Sequence, residues 1–133
     1  MGALTEARDT ARREGDLIVV PVKAATKVFL GSIAVADAGF AAPGRTAAGL
    51  KALGRASQTV DNTAGAAGAL SVEIERGTFL FENSATDPLA QADLFADCYI
   101  EDDQTVAKTA AGKSRAGKLI AFDVNGVWVE VGF

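Results

Sequence analysis

Histidine is absent from this 133-residue chain, and cysteine, methionine, tryptophan and tyrosine occur once each. Without histidine there is no Ser-His-Asp or Cys-His arrangement, no His-bearing zinc site and no side chain that titrates unperturbed near neutral pH. One cysteine excludes an intramolecular disulfide and gives no metal site by itself. Cys98 lies between Asp97 and Tyr99, and an acidic neighbour raises a thiol pKa, so a structural role is expected for it. No apolar run approaches the roughly 18 residues of a membrane span. The first residues show no apolar h-region of a signal peptide, so the expectation is a soluble chain made in the cytoplasm with no membrane partner. Net charge is −4, which disfavours nucleic acid as a partner.

The remaining motifs with chemical overtones are incomplete. Gly112-Lys113-Ser114 resembles the end of a phosphate-binding loop, but Ala107 stands where the pattern needs its first glycine, and strand-forming residues follow instead of a helix. A solvated loop is the simpler reading. Glu101-Asp102-Asp103 lacks the alternate-residue ligands of a calcium loop and reads as an acidic hairpin tip. Glu73, Glu75 and Glu82 could converge across strands as paired carboxylates for glycoside hydrolysis, yet nothing selects them over outward-facing surface residues. The sequence therefore assigns no catalytic residue, cofactor or metal.

What is present is alanine, glycine and short β-branched runs. The 49% apolar fraction is inflated by alanine, which leaves enough larger side chains for a modest two-layer core. Fourteen glycines along the chain fit many turns between short strands. The clearest element is 116–133, two apolar runs joined by Asn125-Gly126, a pair that suits a two-residue type I′ turn. Such a turn predicts Val124 opposite Val127, Phe122 opposite Val129 and Ile120 opposite Val131 on one face. The other face then pairs Asp123 with Trp128, Ala121 with Glu130 and Leu119 with Gly132. A two-stranded ribbon is marginal alone, so its apolar face needs a partner sheet.

Upstream, Leu17–Val22 reads as a strand whose Pro21 requires an edge or a bulge. Strand residues follow within 27–36, with a kink at Gly31, and a turn at Asp37-Ala38-Gly39. Residues 61–68 read as a surface loop. Leu70, Val72 and Ile74 alternate with Ser71, Glu73 and Glu75, Phe79 and Phe81 share a second run, and 95–100 with 104–108 form a hairpin. Asp87-Pro88 could open one helical turn. Eight or nine strands and no long helix predict a mainly β fold, a small antiparallel β-sandwich or barrel, jelly-roll-like, with an extended N-terminal arm. The arm is 1–15 and the single β domain 16–133. Residues 1–27 hold five Lys/Arg against four Asp/Glu, and 28–133 hold eight against thirteen, so a near-neutral arm precedes an acidic body. Arg8, Arg12 and Arg13 on the arm are candidate partner contacts, although Glu6, Asp9 and Glu14 interleave with them. Trp128, off the apolar stripe, is covered by the chain's own arm or loop, buried by a partner, or exposed; tryptophan is enriched where interfaces concentrate binding energy.

The order of segments resembles the capsid cement (decoration, or minor capsid) proteins of tailed bacteriophages. The likeness is carried by GDLIVVPVKAATKVFLGSIAVADAGFAAPG (15–44), AGLKALGRASQTVDNTAGAAG (48–68), ALSVEIERGTFLFENSATDP (69–88), and CYIEDDQTVAKT with AGKLIAFDVNGVWVEV (98–109 and 116–131). The resemblance lies in the ordered set and covers nearly the whole chain. It implies a non-enzymatic virion protein on the capsid exterior that bridges neighbouring major capsid protein subunits. As partners it implies the major capsid protein and further copies of itself, homodimer before trimer. A tail or neck component, or a small β-barrel ligand-binding module, are the competing expectations.

Overall fold

The computed structural model describes residues 2–9 and 15–133. Short β-branched runs between glycine-rich turns fold into β1 (Leu17–Pro21), β2 (Thr26–Val28), β3 (Ile33–Asp37), β4 (Phe40–Pro43), β5 (Lys51–Ala56) and β6 (Val60–Asn62). They are followed by β7 (Ser71–Glu75), β8 (Gly77–Asn83), β9 (Asp97–Ile100), β10 (Thr105–Ala107), β11 (Arg115–Asp123) and β12 (Gly126–Val131). The single helical turn among the described residues, Gln91–Asp93, comes after Asp87-Pro88 rather than at it. Among the strands, the three-residue β6 differs from expectation: Asp61 and Asn62, read as the start of a surface loop, pair with β2 in a piece too short to show a period.

The fold is mainly β and consists of a closed barrel, in the order β10-β8-β12-β11-β9, an open antiparallel sheet, β1-β7-β5-β3-β4, and a small β2-β6 ribbon. The barrel is antiparallel except where β10 runs parallel to β8, through Thr105 opposite Glu82 and Val106 opposite Asn83. Its interior is filled by Val127, Val129, Val131, Leu119, Phe81, Ile100 and Val106, and the open sheet adds Ile33, Val35 and Ala42 to the same core. On the far side of that sheet a second cluster gathers Val22, Val28, Ala34, Ala41, Val72 and Ile74. Alternation along β3 explains the division: Ile33 and Val35 point toward the barrel, Ala34 away from it. Pro21 ends β1, an edge strand, as its missing N–H requires.

The terminal hairpin forms, but not in the expected register. Asp123 pairs with Gly126, Phe122 with Val127, Ala121 with Trp128 and Leu119 with Val129. The turn residues are thus Val124 and Asn125, one position earlier than the Asn-Gly pair suggested. Two local features account for the shift. The Asp123 carboxylate accepts the Asn125 N–H at 3.0 Å, an Asx turn that closes the tip early. Gly126, at φ 150°, passes so close to the Phe81 carbonyl that any Cβ would collide with it, so glycine is required in the strand rather than in the turn. A bulge at Ile120 then exchanges two expected faces on the long strand. Leu119, expected on the mixed face, is buried opposite Val129, Ile120, expected in the core, is only half-buried, and Glu130, opposite Lys118, stays out of the core.

These positions separate the two registers experimentally. Val124 is 99% exposed, so Val124→Asp should change stability by no more than about 0.5 kcal/mol, whereas the register with Val124 facing Val127 in the core would make it costly. Gly126→Ala should destabilise by about 1–3 kcal/mol. Urea denaturation of the two variants checks both.

Candidate functional site

Trp128 lies on the outer face of the barrel, half-buried, in a cross-strand row with Leu80 on β8 and Ala121 on β11. Its indole N–H donates to the Asp123 carboxylate at 3.3 Å, which fixes the ring over the hairpin. Leu80 in this row and Val124 at the hairpin tip face solvent; Phe122, on the core side of the ladder opposite Val127, and Phe95, at the end of the crossing from β8 to β9, are also exposed. Phe95 is 67% exposed and has φ 64°, an unusual backbone for an aromatic residue, held by its N–H donating to the Leu119 carbonyl at 2.7 Å. Strain of this kind persists only where the surroundings impose it. Sequence reasoning missed Phe95 because neither propensity nor periodicity signals a left-handed aromatic.

A shallow groove of about 380 Å³ runs beside this surface, lined by Phe29, Leu30, Gly31, Ser32, Asp103 and Gln104. A second, of about 180 Å³, shares Gly31 and Gln104 and reaches Leu80, Glu82 and Asn125. Burial, together with the neighbouring Asp102 charge, raises the Asp103 carboxyl above its ordinary value. The other acids of that tip build the loop: Asp102 accepts the Gln104 N–H at 2.9 Å, and Glu101 accepts the Ser84 hydroxyl at 2.6 Å. A larger recess of about 490 Å³ is bordered by Lys23, Lys27 and Arg45. Two of its cations are already engaged, since Lys23 (2.7 Å) and Arg45 (3.1 Å) both bind Asp37 and hold its carboxyl below the usual carboxylate range.

Arg8 belongs to an exposed segment, residues 2–9, that forms neither helix nor strand, while Arg12 and Arg13 lie outside the described residues. The base of the arm is tied down: the Arg76 guanidinium donates to the carbonyls of Gly15 (3.1 Å) and Gly132 (2.9 Å), and the ring of Phe133 lies beneath it. The structure does not bring Arg8 and Trp128 into contact, so they stand as two separate candidate contacts.

Glu73 and Glu75 project from β7 of the open sheet, Glu75 pairing with Arg55, whereas Glu82 lies on β8 of the barrel. Ser114 corrects the solvated-loop reading of 112–114. It is buried, its hydroxyl donating to the Ala47 carbonyl (2.6 Å) and accepting the Leu50 N–H (2.9 Å). Its role is to fasten the 47–50 segment to the barrel. Cys98 is buried in the barrel, and burial, more than its acidic neighbour, pushes its thiol up to about 12. Among the described residues no group of three or more Cys, Asp or Glu gathers to hold a metal, and no helix is long and apolar enough to cross a membrane. Compared with family models, with curated proteins and with solved structures, the chain matches none.

The sign of the Asp103 shift gives a direct test. A carboxyl whose folded pKa lies above its unfolded one contributes favourably at low pH, and that contribution is lost as pH rises through the folded pKa. The charged form is therefore a cost at pH 7. Asp103→Asn should raise the urea midpoint at pH 7, and the gain should vanish near pH 3.

Proposed function

We propose that this chain is a structural virion protein that binds the outer surface of a phage head and bridges neighbouring major capsid protein subunits, making and breaking no covalent bond. The observation that carries the reading is the outer barrel face. Leu80, Trp128 and Ala121 form a row of contact-ready side chains on three paired strands, with Val124 exposed at the tip of the same hairpin. A rigid sheet with a central tryptophan presents area at little entropic cost, the arrangement in which interfaces concentrate their energy. The ordered segment resemblance supports the identity of the partner. The polar arm before β1 supports a second contact, ordered on docking, whose entropy loss its contacts must offset. Many symmetric copies, themselves associating as a dimer or a trimer, turn modest single contacts into firm attachment through avidity.

Co-sedimentation with undecorated heads of the phage that encodes the protein tests this reading. The full chain should pellet with heads and raise their resistance to heat. Deletion of residues 1–14, and separately Trp128→Ala, should each weaken binding by tenfold or more, about 1.4 kcal/mol, while circular dichroism remains that of the folded protein. Undiminished binding by the shortened chain would overturn the role of the arm, and unfolding of Trp128→Ala would reassign that residue to the core. Attachment to tails or necks in place of heads would favour the competing structural role.

A further inference from the structure

Closure leaves the barrel without an edge strand, so edge strands belong to the open sheet and the short β2-β6 ribbon. There β1 is an edge strand, and the parity of its hydrogen bonds can be read. Val22 N–H donates to the Leu70 carbonyl and Arg76 N–H to the Asp16 carbonyl, in line with the register that sets Ile18 opposite Ile74 and Val20 opposite Val72. Bonded pairs alternate in an antiparallel ladder. Residues 16, 18, 20 and 22 therefore bond to β7, whereas Leu17, Val19 and Pro21 turn their main-chain groups to the open side. Pro21 confirms the parity, because only an outward position tolerates a residue with no N–H. From Pro21 onward the open side is covered: the parallel bridge between Val22 and Ala41 engages the Pro21 carbonyl, and the Lys23 N–H donates to the Ala41 carbonyl. Ahead of that point the side chains of Leu17 and Val19 are 43% and 66% exposed, and Leu17–Val19 carries no lysine, proline or bulge to blunt pairing.

We infer that this edge is a self-association seam, at which β1 pairs antiparallel with β1 of a second copy about a two-fold axis through Ile18. In that register Leu17 of each copy faces Val19 of the other, so the outward N–H and C=O groups of both residues are satisfied reciprocally. Moving the axis to Leu17 would need the Gly15 carbonyl, which the Arg76 guanidinium already occupies. Moving it to Val19 would set the Leu17 carbonyl against proline, which has no donor. Charge agrees with this register. Glu73 and Glu75 of the two copies would be separated by three strand spacings, about 14 Å, beyond a screening length of about 8 Å at physiological salt. A five-residue edge buries less than the roughly 800 Å² per partner of a stable complex. The seam is therefore one weak contact that gains strength when copies are held together, and this inference rests on the self-association proposed above but not on the capsid.

Disulfide trapping in the free protein tests the seam and its register. Ile18 faces its own counterpart as a non-bonded pair with Cα atoms about 4.5 Å apart, within disulfide reach. Buried Cys98 remains silent. Mild oxidation of Ile18→Cys should give a covalent dimer, and Val20→Cys, which would face Asp16, roughly tenfold less. Adding Val19→Pro to Ile18→Cys should reduce trapping roughly tenfold while leaving the β7 ladder and the thermal midpoint in place. Equal trapping at 18 and 20, trapping that survives Val19→Pro, or none at all would overturn the seam. Should Ile18→Cys not fold, mixed Leu17→Cys and Val19→Cys proteins give the same answer, with the mixed dimer expected to exceed either homodimer. Failure to bind heads with trapping intact would count against the capsid reading alone.

Discussion

A closed barrel of five strands cannot be antiparallel throughout, because an odd number of alternating directions leaves two like-directed neighbours. The parallel contact between β8 and β10 meets this constraint, and the rest of the architecture depends on it. β10 is only three residues long, yet Thr105, Val106 and Ala107 are all buried. It closes the ladder, shields the interior valines of β12 and leaves the barrel with no edge to offer another chain. The cost of closure is a long crossing from β8 to β9, fastened by Asn83, whose side chain bonds both main-chain groups of Leu89, and ending in the strained, exposed Phe95.

Closing one sheet shifts the burden of interaction elsewhere. The barrel presents side chains outward, centred on Trp128, and the neighbouring sheet presents main chain, along β1. These are different kinds of surface. The first rewards shape and apolar area, whereas the second rewards any partner that can adopt an extended strand. The arm leaves the chain immediately before β1, at a base held by Arg76. A contact made by the arm and one made along β1 are therefore next to each other in space as well as in sequence.

Much of this was legible in the chain. The alternation of Val72 and Ile74 with Ser71, Glu73 and Glu75, the edge position of Pro21 and the acidic hairpin at 101–103 follow from period and turn chemistry, and the structure has all three. The terminal hairpin was legible in kind but not in register. Asn125-Gly126 is a turn signal in isolation, and the close approach of Phe81 that claims Gly126 for the strand is a tertiary contact with no local trace. Ser114 was unreadable for the same reason, since its partners, Ala47 and Leu50, lie more than sixty residues away. Of the candidate contacts, Trp128 was recognisable by being off the apolar stripe, while Phe95 and the open edge of β1 required the assembled sheet.

The central claim is that this molecule acts by covering and joining other protein subunits. Imaging undecorated heads after addition of the purified protein, at a resolution that separates strands, tests it most directly. The account predicts density on the outer surface at symmetry-related positions, each copy touching two adjacent shell subunits, with the Trp128 face or the arm at the contact. Bare heads alongside free protein, or copies that each rest on one subunit without reaching a neighbour, would contradict it.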